Sequence, residues 1–117
     1  MEYFDRTGRA TCYSADGEHL YLWPGRPVGY LNSGRIYSFS GRLLGWVENG
    51  WLYDRHNRPA LFSAEATGGP VKPVRKVKPV KGVRAVRPVK GVRQVAHVRS
   101  VKSLSWSASA SADYFNQ

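Results

Sequence analysis

A repeat of about sixteen residues constrains the fold of this chain more than any other feature of its sequence. Tyr21, Tyr37 and Tyr53 are sixteen residues apart, and each is followed four residues later by a pair that ends in arginine. These pairs are Gly25-Arg26, Gly41-Arg42 and Asn57-Arg58, while Tyr3 with Gly8-Arg9 gives a looser first copy. Because one such unit is too short to bury an apolar face of its own, the four units must pack against one another.

Turn-forming pairs divide each unit into two halves. A glycine follows a polar residue or a proline about every eight residues, and glycine supplies the positive φ that tight turns between strands need. The segments between the turns, such as residues 35–39 and 51–54, are short and rich in aromatic and β-branched side chains. The pattern therefore predicts an all-β fold of four β-hairpin repeats in a pseudo-fourfold radial or closed array.

The units resemble those of the bacterial four-fold beta-flower family. The resemblance is clearest over residues 36–54 and covers residues 2–66, with Asn57 departing from the glycine of the other units. It implies hairpins arranged as petals about a pseudo-fourfold axis, and it implies no catalytic residues, because the family has no assigned activity. The units are also similar to other Tyr/Gly hairpin repeats, such as the MORN and tyrosine-aspartate types.

The net charge of +10 is confined to the second part of the chain. Up to Gly68, seven arginines balance seven acidic residues, whereas residues 71–102 contain eleven Lys or Arg and no acid. A single acid, Asp113, follows them. We therefore predict a four-hairpin β module over residues 1–68, an extended basic segment over 69–104, and a flexible Ser/Ala-rich C-terminus over 105–117.

A second repeat runs through the basic segment, where valine occupies every third position from Val71 to Val101. In a strand, residues three apart point to opposite faces, and the prolines and glycines of the segment would disrupt an α-helix. Polyproline II has three residues per turn, so it would place the valines on one edge and mostly Lys or Arg on the second. We expect a polyproline-II-like basic tail that projects, folds back or docks on another chain.

The basic edge of this tail is the strongest functional candidate in the sequence. A row of cations ~9 Å apart suits the phosphates of nucleic acid or of another polyanion. Without a base-reading element, such binding would be nonspecific and sensitive to salt. The predicted polyanion-binding residues are Lys72, Arg75, Lys78, Lys81, Arg84, Arg87, Lys90, Arg93, Arg99 and Lys102. The alternative is a solubilising face on a segment whose valines pack into the module.

The valine edge is a candidate for docking on the β module, within one chain or between subunits. Most of the module's aromatic residues should form its core, but a minority could line a groove, and aromatic grooves bind polyproline helices in other modules. The predicted docking residues are Val74, Val77, Val80, Val83, Val86, Val89 and Val92.

Four arginines occupy equivalent positions in the units. A pseudo-fourfold array would bring Arg9, Arg26, Arg42 and Arg58 into a ring that could hold an anion. The alternative is that they pair with neighbouring acids such as Asp5, Glu48 and Asp54.

We expect no enzyme activity, no cofactor, no bound metal and no small-molecule substrate. Cys12 is the single cysteine, and the three histidines lie in three different contexts, so no nucleophile with a matching base is evident. No apolar run approaches the ~18 residues that span a bilayer. Residues 1–5 lack the features of a signal peptide, and a cytoplasmic protein is expected.

Two hypotheses for function remain open at this point. The first is a noncatalytic binding or scaffold module whose basic tail contacts nucleic acid or another polyanion nonspecifically. The second is a structural or protein-interaction protein whose tail docks on the β module or on a partner subunit. Association with an anionic membrane surface would suit the charge, but the tail lacks an amphipathic helix.

Overall fold

Eight antiparallel strands form a closed barrel in the computed structural model, which describes residues 1–117. Each strand pairs with the next one along the chain, and β8 returns to pair with β1. The strands are β1 (Glu2–Phe4), β2 (Ala10–Tyr13), β3 (His19–Leu22), β4 (Pro27–Asn32), β5 (Arg35–Tyr37), β6 (Leu43–Glu48), β7 (Trp51–Tyr53) and β8 (Pro59–Phe62). The prediction of an all-β closed array of four hairpins is confirmed.

The centre of the barrel is filled mainly by small and aliphatic side chains. Successive residues of a strand point to opposite faces, so one face of every strand contributes to this core. The central cluster consists of Tyr3, Cys12, Leu20, Ile36, Leu44, Leu52, Ala60, Leu61 and Tyr114. Burial raises the pKa of the Cys12 thiol, which keeps it protonated and unreactive.

The C-terminal residues complete this core. A short 3-10 helix, Ala112–Asn116, holds Tyr114 fully buried, and its hydroxyl donates a hydrogen bond of 2.8 Å to the carbonyl of Tyr53. The expectation of a flexible C-terminus over residues 105–117 is therefore wrong. The physical reason is that Tyr114 and Phe115 give an otherwise Ser/Ala-rich segment enough apolar surface to pack against the barrel.

The outward face of the barrel carries aromatic rings. Tyr13 lies opposite Tyr21 with ring centroids 5.9 Å apart, and Tyr30 lies opposite Tyr37 at 5.8 Å. Rings on the outside of so small a barrel would ordinarily face water, yet Tyr30 is only 1% exposed. The basic segment covers them.

Residues 69–104, which we call the belt, run once around the outside of the barrel. Four belt amides donate hydrogen bonds of 2.7–3.2 Å to carbonyls in the four turns that contain the Gly-Arg or Asn-Arg pairs. The pairs are Lys76 to Gly8, Ala85 to Gly25, Gln94 to Gly41 and Ser103 to Asn57. The donors are nine residues apart and the acceptors sixteen or seventeen, so nine belt residues span one hairpin unit.

The length of the belt matches the size of the molecule. The structure is a disc of 37 × 36 × 21 Å. Nine residues of polyproline II cover about 28 Å, so four copies cover roughly 110 Å. A circle as wide as the disc has about that circumference, and the tail therefore folds back around its own module. No helix in the structure has the length and apolar character needed to cross a membrane.

Candidate functional site: the belt and the arginine end

The basic edge of the belt faces the barrel. Lys81 lies over the ring of Tyr13, with Nζ 4.4 Å from the centroid, and nine residues later Lys90 lies over Tyr30 at 4.5 Å. The equivalent contacts on other rings are Arg75 over Phe4, Arg84 over Tyr21, Arg93 over Tyr37, and Arg99 and Lys102 over Tyr53. Cation–π contacts at exposed sites contribute about 0.5–1 kcal/mol each, and here they recur in all four units.

Three glutamates of the barrel bind the same row of cations. Both Lys78 and Lys81 lie 2.8 Å from the carboxylate of Glu2, and the hydrogen bond from Lys78 is the main reason why the pKa of Glu2 is lowered. The other pairs are Glu18 with Lys90, and Glu48 with Arg99 and Lys102. The pKa of each of these glutamates is also lowered, chiefly by the hydrogen bond from its lysine.

The two remaining cations of the row also have partners in the same chain. Lys72 donates to the carbonyls of Ala64 and Ala66 at 3.1 and 2.8 Å, and Arg87 donates to the hydroxyl of Tyr21 at 3.2 Å. All ten residues predicted to contact a polyanion thus interact with the body of the protein. The structure turns the row toward the barrel wall, and its side chains keep part of their surface in solvent: that of Lys78 is 49% exposed.

The valines point the opposite way. All eleven valines from Val71 to Val101 are 90–97% exposed, and they form what we call the valine row, around the rim of the disc. The prediction that Val74 to Val92 dock on the module is therefore wrong. With three residues per turn only part of the chain can face the barrel, and the cations have both rings and carboxylates to bind there, whereas valine would gain apolar contact alone.

Glycines allow the belt to approach the turns closely. Gly25 has φ +109°, and a Cβ atom added to it would overlap the carbonyl of Val83. A Cβ atom added to Gly82 of the belt would overlap the carbonyl of Pro24 in return. Gly41 and Gly91 make the equivalent contact in the next unit. The glycines of the sixteen-residue repeat and of the nine-residue repeat thus meet each other.

The fourth unit uses a different contact. Asn57 adopts φ 60° and is 2% exposed. Its side-chain amide donates to the carbonyl of Ser100 at 2.6 Å, and Nε of Arg99 donates to its Oδ1 at 2.8 Å. Where the belt carries Ser100 instead of a third glycine, the turn therefore carries an asparagine that hydrogen bonds to it. This contact accounts for the departure of Asn57 from the glycine pattern.

Six arginines lie at one end of the barrel. In a closed barrel of antiparallel strands, every second turn lies at the same end. One end, which we call the arginine end, therefore contains the turns at residues 5–9, 23–26, 38–42 and 54–58. It carries Arg6, Arg9, Arg26, Arg42, Arg55 and Arg58, none of which forms a salt bridge. The predicted ring of Arg9, Arg26, Arg42 and Arg58 thus lies on one end, and all four residues are exposed.

The acids near these arginines cap the turns instead of pairing with guanidinium groups. Asp5 accepts hydrogen bonds from the amides of Thr7 and Arg9 at 2.8 and 3.1 Å. Asp54 accepts from the amides of His56 and Arg58 at 2.8 and 2.9 Å. Side-chain pairing of these acids with the ring, which was the alternative to an anion site, does not occur.

Sequence reasoning missed Arg6 and Arg55. The signal was present, because residues 5–9 and 54–58 share the pattern Asp-Arg-x-x-Arg. Arg55 and Arg42 line one open pocket of about 470 Å³, together with Ser40, Gly41, Val92 and Gln94. The pocket contains no acidic residue, so its walls offer hydrogen-bond donors and positive charge.

The histidines and acids do not converge on a metal site. His19 contacts Asp16 at 2.7 Å and Glu18 at 3.0 Å, and its hydrogen bond lowers the pKa of Asp16. No group of three or more His, Cys, Asp or Glu side chains is placed so that it could hold a metal ion.

Comparison with known proteins extends the resemblance beyond the barrel. The family described as 4-fold beta flower protein matches residues 1–115, which include the belt and the C-terminal helix. No curated protein and no solved structure matches the chain significantly. The chain belongs to the 4-fold beta flower protein family.

Proposed function

We propose that this protein is a noncatalytic structural module that self-associates through the valine row. The observation that carries the proposal is the exposure of eleven valines, each 90–97% accessible, on a segment fixed to the barrel by hydrogen bonds. Monomeric proteins rarely expose connected apolar surface of more than a few hundred Å². A second copy of the chain offers an apolar row of the same spacing.

The area of the row is sufficient for an interface. A valine side chain presents on the order of 100 Å² of apolar surface, so eleven present on the order of 1,000 Å². A stable interface buries about 800 Å² on each partner. Because the row surrounds a convex disc, one neighbour can cover only a few valines, and several neighbours are needed to cover them all. We therefore expect open lateral assembly rather than a closed dimer.

The attachment of the belt favours binding through the row. Hydrogen bonds, ion pairs and cation–π contacts recur every nine residues and hold the inner side of the belt. The valines are thereby ordered before any partner arrives, which reduces the entropy that association would cost.

The polyanion hypothesis for the tail has less support. The ten cations on the basic edge of the belt already contact rings, carboxylates, a hydroxyl or carbonyls of the barrel. A polyanion would have to displace those contacts. Binding of nucleic acid by the tail stays a prediction.

Sedimentation velocity over a range of protein concentrations tests the proposal. We expect the average mass to rise with concentration and to rise further with salt, because salt screens repulsion between chains of net charge +10. The triple variant Val77→Thr, Val86→Thr, Val95→Thr changes one valine in each of three successive copies and should weaken the association. Since threonine is nearly isosteric with valine, the melting temperature should stay unchanged.

A conservative control uses Val→Ile at the same three positions, which should keep or strengthen the association. Monomeric wild-type protein at millimolar concentration in 0.5 M salt would contradict the proposal. Equal association of the wild-type and threonine proteins would also contradict it.

A further inference from the structure

The barrel is neutral in sum but strongly polarised along its axis. Its seven arginines balance its seven acids, yet six of the arginines and only two of the acids, Asp5 and Asp54, lie at the arginine end. The opposite end has the other five acids, three of which bind the belt. The belt therefore adds its cations where negative charge is present. The C-terminal helix packs on the arginine end and adds one acid there, Asp113, so six arginines face three acids and the end keeps an excess of positive charge.

The cations of the barrel are of one chemical type. Residues 1–68 contain seven arginines and no lysine, although the belt uses both. The guanidinium group presents a planar fork of donors that matches the oxygens of a phosphate, and it is less strongly hydrated than an ammonium group. A surface that needed only solubility would have no reason to exclude lysine.

One pocket at this end brings two arginines together. Arg42 and Arg55 come from consecutive turns and line the same open pocket of about 470 Å³. Gln94 reaches it from the belt, and its Oε1 accepts a hydrogen bond of 2.9 Å from the amide of Leu43. That bond fixes the amide group and leaves its NH2 as a donor. A pocket with two guanidinium groups, an amide donor and no carboxylate suits a phosphate dianion or monoanion.

By contrast, the arginines of a second pocket already interact with the barrel. Arg84 and Arg87 border that pocket, but one lies over the ring of Tyr21 and the other donates to its hydroxyl. Arg42 and Arg55 have no such partner.

We propose that the arginine end binds the phosphodiester backbone of nucleic acid, with one phosphate held between Arg42 and Arg55. The remaining arginines lie in turns distributed around the end of a closed barrel, too far apart for a single small anion to contact them all. A chain that carries many phosphates can reach several turns at once. Because no element reads base edges, the binding is independent of sequence and weakens as salt is raised.

Fluorescence anisotropy with a labelled 20-nucleotide single-stranded DNA tests this proposal. The site variant is Arg42→Gln with Arg55→Gln. The matched control is Arg35→Glu, which changes an exposed residue at the opposite end of the barrel. Both variants lower the net charge by two relative to the wild type, so any difference between them reports position and not net charge. The threonine variant of the valine row serves as the background, which keeps self-association out of the measurement.

We expect the site variant to bind at least about 10-fold more weakly than the control at the same salt concentration. The slope of log K against log[salt] should decrease in magnitude by about 0.7, since the two arginines hold one phosphate and each phosphate contact on a single strand accounts for about 0.7. Both variants should melt at the wild-type temperature, because none of the three side chains has a salt-bridge partner.

Equal loss of affinity in the two variants would overturn the proposal, because it would mean diffuse electrostatic attraction without a site. Absence of DNA binding at 50 mM salt would also overturn it. Competition with inorganic phosphate distinguishes a phosphodiester chain from a free phosphate as the ligand. We expect phosphate to displace DNA no more strongly than chloride does at equal ionic strength. Displacement by micromolar phosphate would overturn the assignment to a phosphodiester chain and make the pocket a site for a small phosphate.

Discussion

The barrel and the belt arrange the same kinds of residue in opposite ways. In the barrel, aliphatic side chains point inward and most charges point to solvent. In the belt, the cations point inward and the valines point to solvent. The contrast shows that the surface against which a segment packs decides which of its side chains face inward. A barrel wall of aromatic rings edged by glutamates binds Lys and Arg better than it binds valine.

The inverted belt is stable because Lys and Arg are amphipathic. Their methylene stems can lie along apolar surface while their charged heads reach a ring face or a carboxylate. Tyr30 and Tyr37 are therefore buried although the valine row does not cover them. The comparison predicts that mutations of the interior, the glycine contacts and the two edges of the belt have clearly separated effects.

The largest effect is expected from the residue that joins the C-terminal segment to the interior. Tyr114→Ala removes a fully buried aromatic side chain and should lower the free energy of unfolding by about 3–5 kcal/mol, as measured by urea denaturation. Tyr114→Phe keeps the ring, loses the hydrogen bond to Tyr53, and should cost about 1 kcal/mol. A loss below about 1 kcal/mol for the alanine variant would show that the segment is not part of the core.

The next effect concerns the approach of the belt to a turn. Gly25→Ala and Gly17→Ala both place alanine at positive φ, but only at Gly25 does the new Cβ meet the belt. Gly25→Ala should therefore destabilise the protein by about 1–3 kcal/mol more than Gly17→Ala. Equal losses in thermal and urea unfolding would mean that the belt does not touch this turn.

Acid should loosen the belt before it affects the barrel. The pKa values of Glu2, Glu18 and Glu48 are lowered by their lysines, so these carboxylates stabilise the folded state above their unfolded pKa near 4.5. That stability is lost as the pH falls below 4.5 and through the lowered values. Urea unfolding from pH 7 to pH 3 should show the loss, and Glu2→Gln with Glu48→Gln should reduce it. An unchanged pH dependence in that variant would assign the loss to other groups.

The smallest effects distinguish the two edges of the belt. Lys81→Gln removes a cation that contacts Glu2, Tyr13 and Trp23, and should cost about 1 kcal/mol. Val77→Thr changes a side chain that is 96% exposed and should stay within about 0.5 kcal/mol of the wild type. These values are read from urea unfolding at concentrations where the protein is monomeric, and the reverse order would refute the orientation of the belt.

The barrel could be predicted from sequence because its information is local. Turn glycines and short aromatic strands recur with one period, and a sixteen-residue hairpin has few ways to bury its surface. The three-residue period of the belt was equally readable from its valines. The period does not reveal which edge of the belt, valine or cationic, faces the barrel. That choice depends on the aromatic wall and the glutamates that the strands bring together.

The remaining errors have the same origin. The burial of Tyr114 depends on a gap in the barrel core that only the assembled strands create. The pocket between Arg42 and Arg55 depends on the meeting of turns that are separated in sequence. By contrast, the arginine ring followed from the repeat alone, since equivalent positions in a closed array must share one end.

Hydrogen exchange on the free, full-length protein tests the central claim that the belt is bound to the barrel. The account predicts slowed exchange at Lys76, Ala85, Gln94 and Ser103, whose amides donate to the four turns, and at Gly82 and Gly91, which donate to Trp23 and Phe39. Neighbouring belt amides without acceptors should exchange rapidly, so protection should recur every nine residues. Uniformly fast exchange across residues 71–102 would contradict the account and would mean that the basic tail is free.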